Sequence, residues 1–214
     1  NGVGQNTLRM AMSKKGPKAY HSLILIQLSR NADFRALFAQ RFAAHLNTTF
    51  APERMTGLLN NMSATIAADM PAQIARWKLP KGVGFWNTQL TKIRAFLQKR
   101  PAFVIAHLNE YLGKPGTALL TTAAGAAGDI VVAGVPVPDS YSGLAFKNTP
   151  LTLTAVPAPG QLFVRWAETG QTTPQITITL AGAATYTAIF DAEPPPPPVP
   201  DIVINEIHYR PLPE

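Results

Sequence analysis

The sequence predicts a helical domain followed by a small antiparallel all-β module, with a proline-rich linker and an incomplete β segment behind it. Apolar residues recur every three or four positions as far as Gly113, and from Thr117 onward they alternate with polar residues. The net charge changes at the same place. Residues 1–115 carry 16 Lys and Arg against 4 Asp and Glu, whereas residues 116–214 carry 3 against 8. We therefore predict a domain boundary near residue 116.

Composition excludes two classes of site. The 214 residues include no cysteine, so disulfides and thiolate metal ligands are excluded. The longest purely aliphatic run, residues 23–26, is far too short to cross a bilayer, and we predict no membrane span. The chain begins with Asn1 rather than Met, and we expect it to be an internal piece of a longer polypeptide.

The helical domain is predicted to span residues 20–115, after a basic loop at residues 1–19. Residues 20–28 form a short apolar helix, and Asn31 is a predicted N-cap for the next helix, with Asp33 in its first turn. This helix carries an apolar stripe at helical spacing, made of Phe34, Leu37, Phe38, Phe42, Leu46 and Phe50. We predict that the stripe is a core face.

Further helices follow, and proline and glycine mark their ends. Pro52 suits the first turn of a helix, and a second apolar stripe comes after it. Its members are Met55, Leu58, Leu59, Met62, Ile66, Met70, Ile74 and Trp77. We predict that the two striped helices form a hairpin. Residues 85–98 are predicted to be helical, Pro101 to begin another helix and Gly113 to end it, which makes four or five helices.

The β module is predicted to span residues 117–192. Two short β-type runs flank Ala133-Gly134, an arrangement typical of a hairpin. Four further strands are predicted at residues 151–156, 162–167, 175–180 and 185–190. Residues 193–200, EPPPPPVP, are predicted to be an extended polyproline linker, and residues 201–214 the start of a further β domain.

Two aromatic residues of the β module pose a register problem. Phe163 and Trp166 are three positions apart, so strict alternation would place them on opposite faces of their strand. A bulge at Val164 or Arg165 would let both rings face inward. We predict that Trp166 is the buried ring and that Phe163 is partly exposed.

The helical part resembles the C-terminal region of the spore-coat CotH-type kinase family, which are atypical protein-kinase-like proteins. The resemblance rests on NADFRALFAQRFAAHLNTTFAPERM, AQIARW and FWNTQLTKIRAFLQKRPAFVIAHL. The matching positions are Asn31, Phe34, Arg35, Phe38, Arg41, Leu46, Asn47, Phe50, Arg76, Trp77, Trp86, Arg94, Phe96, Arg100, Pro101 and His107. Residues 128–190, with Gly160, Phe163 and Trp166, resemble an internalin-type bacterial β-repeat. Residues 201–214 resemble the first strand of a lamin-tail domain.

The CotH resemblance implies ATP and Mg²⁺ for an intact parent protein. In that family a lysine and acidic residues upstream of this helical region hold the nucleotide and metal, and no Asp or Glu occurs between Asn1 and Ala32. We therefore assign no catalytic, cofactor-binding or metal residue to this chain and expect it to be inactive alone. The four carboxylates of the helical half are Asp33, Glu53, Asp69 and Glu110. Three lie in or near first helical turns, where helix-end interactions explain them.

Other candidate sites have plainer interpretations. His21, His45 and His107 lack neighbours at metal-ligand spacing, and Glu206 and His208 alone do not make a site. Trp77 and Trp86 bracket a loop and could bind a glycan or peptide, although their places on apolar stripes favour core packing. In the intact domain we expect carboxylates to pair with four arginines of the matching positions, which are Arg35, Arg41, Arg76 and Arg94.

The leading functional interpretation is a non-catalytic C-terminal fragment of an exported CotH-like protein. Its helical part would support the kinase-like core, and its β modules would serve as spacer or attachment. The expected partners are the missing N-terminal core and the following lamin-tail-like domain, with surface proteins or polysaccharide as further candidates. The alternative is a bacterial surface adhesion protein with a degenerate kinase-like part. A nucleic-acid-binding scaffold is a weaker alternative based on the basic helical half.

Overall fold

The computed structural model of the chain describes residues 2–13 and 19–194. Within these ranges six α-helices precede eight strands, which confirms the predicted order of a helical part and a β part. The helices are α1 (Thr7–Met12), α2 (Ala19–Leu28), α3 (Ala32–Asn47), α4 (Pro52–Ala67), α5 (Met70–Trp77) and α6 (Val83–Tyr111). The predicted linker beyond residue 194 and the predicted β segment at residues 201–214 lie outside the described residues.

Local chemistry sets three of the predicted helix ends. The Asn31 side chain accepts a hydrogen bond of 2.9 Å from the Phe34 backbone N–H, so it is the N-cap of α3. Pro52 occupies the first turn of α4. After α6, Gly113 takes φ +83° and donates to the Glu110 carbonyl at 3.0 Å, while Lys114 donates to the Asn109 carbonyl at 2.7 Å. These two bonds make a Schellman motif, which ends the helix where the sequence predicted.

Three helical predictions are wrong. Residues 7–12 form α1 rather than a loop, because the Asn6 side chain caps it by accepting from the Arg9 N–H at 2.8 Å. The second striped segment is divided into α4 and α5, because Pro71 has no N–H to continue the hydrogen-bond ladder. Pro101 does not begin a helix but lies inside the continuous α6, whose bonded turns on both sides tolerate one lost hydrogen bond.

The helical hairpin and the core face of α3 are also wrong. α4 packs on α6, and α3 packs on the β half. The residues that α3 buries are small or polar: Ala36, Ala39, Gln40, Ala43, Ala44 and, at its end, Leu46. Of the predicted stripe only Leu46 is buried, while Phe42 and Phe50 are 36% and 47% exposed. The short alanine side chains let a sheet approach the helix backbone closely, which bulky phenylalanines would prevent.

The β half consists of two four-stranded sheets within the described chain. The strands are β1 (Thr117–Ala123), β2 (Gly128–Val132), β3 (Val135–Val137), β4 (Ser140–Phe146), β5 (Leu151–Pro157), β6 (Gln161–Trp166), β7 (Gln175–Ile178) and β8 (Ala184–Ala192). Their orders are β4-β1-β8-β6 and β3-β2-β5-β7. All pairs are antiparallel except β1 and β8, which run parallel. The predicted hairpin at Ala133-Gly134 joins β2 to β3, and both turn residues have positive φ.

The predicted irregularity in β6 is present. The pairing of β6 with β8 shifts register between Phe163 and Arg165, which makes a bulge at Val164. Trp166 is fully buried, and the partly buried Phe163 packs against the same core with its ring centroid 5.6 Å from that of Trp166. The bulge therefore turns both rings inward, with Trp166 as the buried ring, as predicted.

The helical and β halves share their hydrophobic cores. Ala44 of α3 belongs to the core of the β sheets, while Phe146 at the end of β4 packs among Ala39, Ala43 and Leu108 of the helical core. Each half thus supplies a buried residue to the other. The junction is a packed interface and not a flexible joint.

Candidate functional site

The four carboxylates of the helical half lie on separate elements. Asp33 and Glu53 are in the first turns of α3 and α4, Asp69 stands at the N-cap position of α5 without a side-chain capping bond, and Glu110 is in the last turn of α6. In residues 2–13 and 19–194 no three His, Asp or Glu side chains are grouped so that they could hold a metal ion. The structure thus gives these residues no shared chemistry.

The histidines also lie in different parts of the structure. His45 Nδ1 lies 3.1 Å from the Thr49 hydroxyl, and the His45 ring lies 6.3 Å from that of Phe50. His107 lines an open cavity between α1, α2, α3 and α6. The side chain of His21 lies outside the described part.

Four of the arginines singled out in the sequence donate hydrogen bonds to neutral oxygens in the described chain. Arg35 donates to the Ser29 carbonyl at 2.8 Å, and Arg41 donates to the Ala133 carbonyl at 2.8 Å. Arg100 donates to the carbonyls of residues 3 and 5 at 2.7 and 2.8 Å. Arg94 donates to the Asn60 side-chain carbonyl at 2.9 Å. Carboxylate pairing was predicted for the intact domain and stays a prediction. In the described chain Arg35, Arg41 and Arg100 hold neighbouring segments to the helices through backbone carbonyls.

The two tryptophans beside the α5–α6 loop differ in exposure. Trp86 is half-buried, whereas Trp77 is 59% exposed, so core packing was the wrong prediction for Trp77. The Arg76 guanidinium lies over the Trp77 ring, 4.9 Å from its centroid, which is cation–π geometry. Trp77 is therefore available at the surface.

Phe38 and Phe42 of α3 line open cavities, and the half-buried Phe38 also packs against the helical core. A cavity of about 350 Å³ includes Leu25, Phe38, Phe42 and Val104 in its wall. A second, of about 220 Å³, lies between α3, α4 and α6. Its wall includes Phe42, Leu46, Phe50, Met55 and Phe96. We call Phe38, Phe42, Phe50 and Phe96 the aromatic face, and it is the candidate interaction site of the helical half.

A second arrangement joins α3 to the sheets through polar side chains. The buried Gln40 amide accepts from the Phe146 backbone N–H at 3.0 Å and donates to the carbonyls of Phe146 and Thr149 at 3.0 and 3.2 Å. Asn47 donates to the Tyr141 hydroxyl at 3.1 Å and to the Leu144 carbonyl at 2.9 Å. The sequence interpretation missed Gln40, although a lone amide surrounded by alanines at helical spacing signals a small, buried, hydrogen-bonding face.

From the buried Tyr141 hydroxyl at this interface we predict a loss of stability at alkaline pH. Burial raises the pKa of Tyr141, and the hydrogen bond from Asn47 opposes this in part. Because the folded pKa lies above the unfolded value of about 10, the stabilisation is complete below that pH and is lost as the pH rises through the folded pKa. We expect the stability of Tyr141→Phe to decline less steeply with pH above about pH 10 than that of the parent chain.

Urea unfolding of the parent chain and of Tyr141→Phe, measured at neutral and at alkaline pH, checks this expectation. Tyr186 serves for comparison with Tyr141, because it is a tyrosine of the β half whose pKa is likewise raised, by burial and by the charge of Glu168. An identical alkaline decline in the parent and in Tyr141→Phe would show that ionisation at the interface does not matter.

Two known protein families match parts of the chain. Residues 4–104 match the CotH kinase protein family. The matched segment runs from before α1 to within α6, and it contains the aromatic face. Residues 118–194 match the divergent InlB B-repeat domain and contain all the strands except the first residue of β1. The predicted resemblance to a CotH-type region followed by a bacterial β-repeat is confirmed.

No significant match was found among curated proteins or among solved structures. The lamin-tail resemblance concerns residues 201–214, outside the described residues, and stays a prediction. Among the helices that the structure describes, none has the length and apolar character needed to cross a membrane.

Proposed function

We propose that this chain is the C-terminal, non-catalytic part of a CotH-type kinase-like domain with a B-repeat packed on it, in an exported, surface-associated bacterial protein. The helical half would support the nucleotide-binding core. The lysine and carboxylates that hold ATP and Mg²⁺ would then lie N-terminal to Asn1. The match of residues 4–104 to the CotH family and of residues 118–194 to the InlB B-repeat supports this assignment.

The exposure of the aromatic face carries the proposal. Phe42, Phe50 and Phe96 are 36%, 47% and 42% exposed, and they border open cavities. Contiguous exposed apolar surface of this kind marks an interaction site. The occupant that we propose is the N-terminal, nucleotide-binding part of the same kinase-like domain.

The packed junction also supports a proposal about the role of the B-repeat. Hydrogen bonds from Gln40, Arg41 and Asn47 reach β4, the loop that follows it and the β2–β3 turn. A module held in this way has a set orientation relative to the helices. We therefore propose that the B-repeat is an attachment element with a defined direction, in addition to separating the kinase-like part from whatever follows.

Phosphate transfer from labelled ATP to a generic protein acceptor tests the proposal. We expect this chain alone, with Mg²⁺ or Mn²⁺, to give only background, and the longer polypeptide that includes the preceding region to transfer phosphate. In the longer polypeptide Phe42→Asp should reduce transfer by about tenfold or more, because a charge would be placed in an apolar contact. Leu162→Asp, at a 46% exposed position on β6, is the matched control and should leave transfer unchanged.

Two outcomes would contradict the proposal. Transfer by this chain alone that Asp33→Ala or Asp69→Ala abolishes would place the site among the described residues. An inactive longer polypeptide would favour the second candidate, an adhesion protein with a degenerate kinase-like part, to which the exposed Trp77 would contribute a stacking surface.

A further inference from the structure

The segment that joins α5 to α6 exposes large apolar side chains. We call residues 76–85 the α5–α6 corner. Within it Trp77, Leu79, Val83 and Phe85 are 59%, 66%, 41% and 45% exposed. None of these residues belongs to the aromatic face or lines the two cavities that border it. The corner is therefore a separate surface with its own requirement for a partner.

The charges at the corner all have one sign. Arg76, Lys78 and Lys81 are exposed beside the apolar side chains. Residues 70–109 contain seven Lys and Arg and no Asp or Glu, so no carboxylate of the neighbouring sequence offsets them. Two of the cations have local contacts: Arg76 stacks on Trp77, and Lys78 Nζ donates to the Ala75 carbonyl at 2.8 Å. The surface is both apolar and cationic.

We propose that the α5–α6 corner docks onto an anionic lipid bilayer, with Trp77 and its apolar neighbours in the interfacial layer and the basic side chains at the lipid phosphates. An interfacial layer accommodates both features, because indole and aliphatic groups partition into the headgroup–acyl boundary while Lys and Arg bind anionic headgroups. Nucleic acid would account for the cations but not for the exposed aliphatic side chains. A bilayer of anionic lipids matches a surface whose charges are all of one sign.

This docking is peripheral. The corner would enter one leaflet only, and the remainder of the helices would stay in water. It does not depend on nucleotide binding or on the aromatic face, so it is independent of the proposed function and can fail separately.

Vesicle sedimentation with the whole chain tests the inference. We expect binding to vesicles of equimolar phosphatidylcholine and phosphatidylglycerol, and little binding to phosphatidylcholine alone. Lys78→Glu/Lys81→Glu and Trp77→Ser/Leu79→Ser should each weaken binding by about tenfold or more, and added salt should weaken it as well. Leu162→Ser/Val164→Ser, on an exposed part of β6, is the matched control and should bind as the parent does.

Tryptophan emission gives a second measurement. Because Trp77 is exposed, Trp86 is half-buried and Trp166 is fully buried, anionic vesicles should shift the emission to the blue, and Trp77→Phe should remove most of that shift. Equal binding to both vesicle types, or binding that neither corner variant weakens, would overturn the inference. Capture of the chain by soluble polyphosphate but not by vesicles would also overturn it and identify a soluble polyanion as the ligand.

Discussion

Trp166→Ala is expected to lower the free energy of unfolding by about 3–5 kcal/mol. The side chain is fully buried, and its Nε1–H donates to the Thr173 carbonyl at 3.2 Å. Its ring meets those of Phe163 and Tyr186 at centroid distances of 5.6 and 6.4 Å. Removing it leaves a large cavity between the sheets and an unsatisfied carbonyl. Chemical denaturation followed by circular dichroism measures the loss.

Two variants separate burial from aromatic chemistry. Trp166→Phe keeps most of the apolar volume and loses the hydrogen bond, so we expect a smaller cost of about 1–2 kcal/mol. Trp77→Ala removes the same side chain from an exposed site and should cost no more than about 0.5 kcal/mol. A cost below about 1 kcal/mol for Trp166→Ala would mean that this ring does not fill the core of the β half.

Gln40→Leu is expected to destabilise the chain by about 3 kcal/mol, although leucine has a similar volume. The substitution leaves the Phe146 N–H and the carbonyls of Phe146 and Thr149 without the partner that Gln40 provides at the buried junction. Each unsatisfied buried group costs about 1–3 kcal/mol. The effect should therefore exceed that of a simple loss of packing.

Gln98→Leu is the matched control on α6, because its amide makes an exposed hydrogen bond of 3.3 Å with the Thr56 hydroxyl. We expect a change within about 0.5 kcal/mol for that variant. Unfolding of the helical half is followed through the far-ultraviolet helix signal, and unfolding of the β half through Trp166 emission in a Trp77→Phe/Trp86→Phe background. A Gln40→Leu variant as stable as the parent, with coincident transitions, would show that the amide does not hold the halves together.

Structural features that depend on a few adjacent residues could be predicted from the sequence. Asn31 caps α3 through the third residue after it, and Pro52 and Gly113 act within one turn of their own positions. The bulge in β6 followed from the three-residue spacing of Phe163 and Trp166 and the period of a strand. Each of these depends on sterics or hydrogen bonds between neighbours in the chain.

Features that depend on remote partners could not be predicted. β1 and β4 were missed, because TALLTTA and SYSGLAF carry many small and polar residues and become strands by pairing with each other. The buried face of α3 was assigned to its phenylalanines, since the largest apolar groups usually enter the core. The neighbouring sheet needs a close approach, and alanines allow it.

The sequence by itself determined the order of a helical and a β half, three of the helix ends, the β2–β3 hairpin and the resemblance to a CotH-type region followed by a bacterial repeat. Only the tertiary structure decided which side of α3 is covered and which is left exposed. The physical reason is distance along the chain. Gln40 and Phe146 are 106 positions apart, and nothing near either residue specifies the other until the fold brings the amide to the strand end. The exposed aromatic face is the consequence of that pairing.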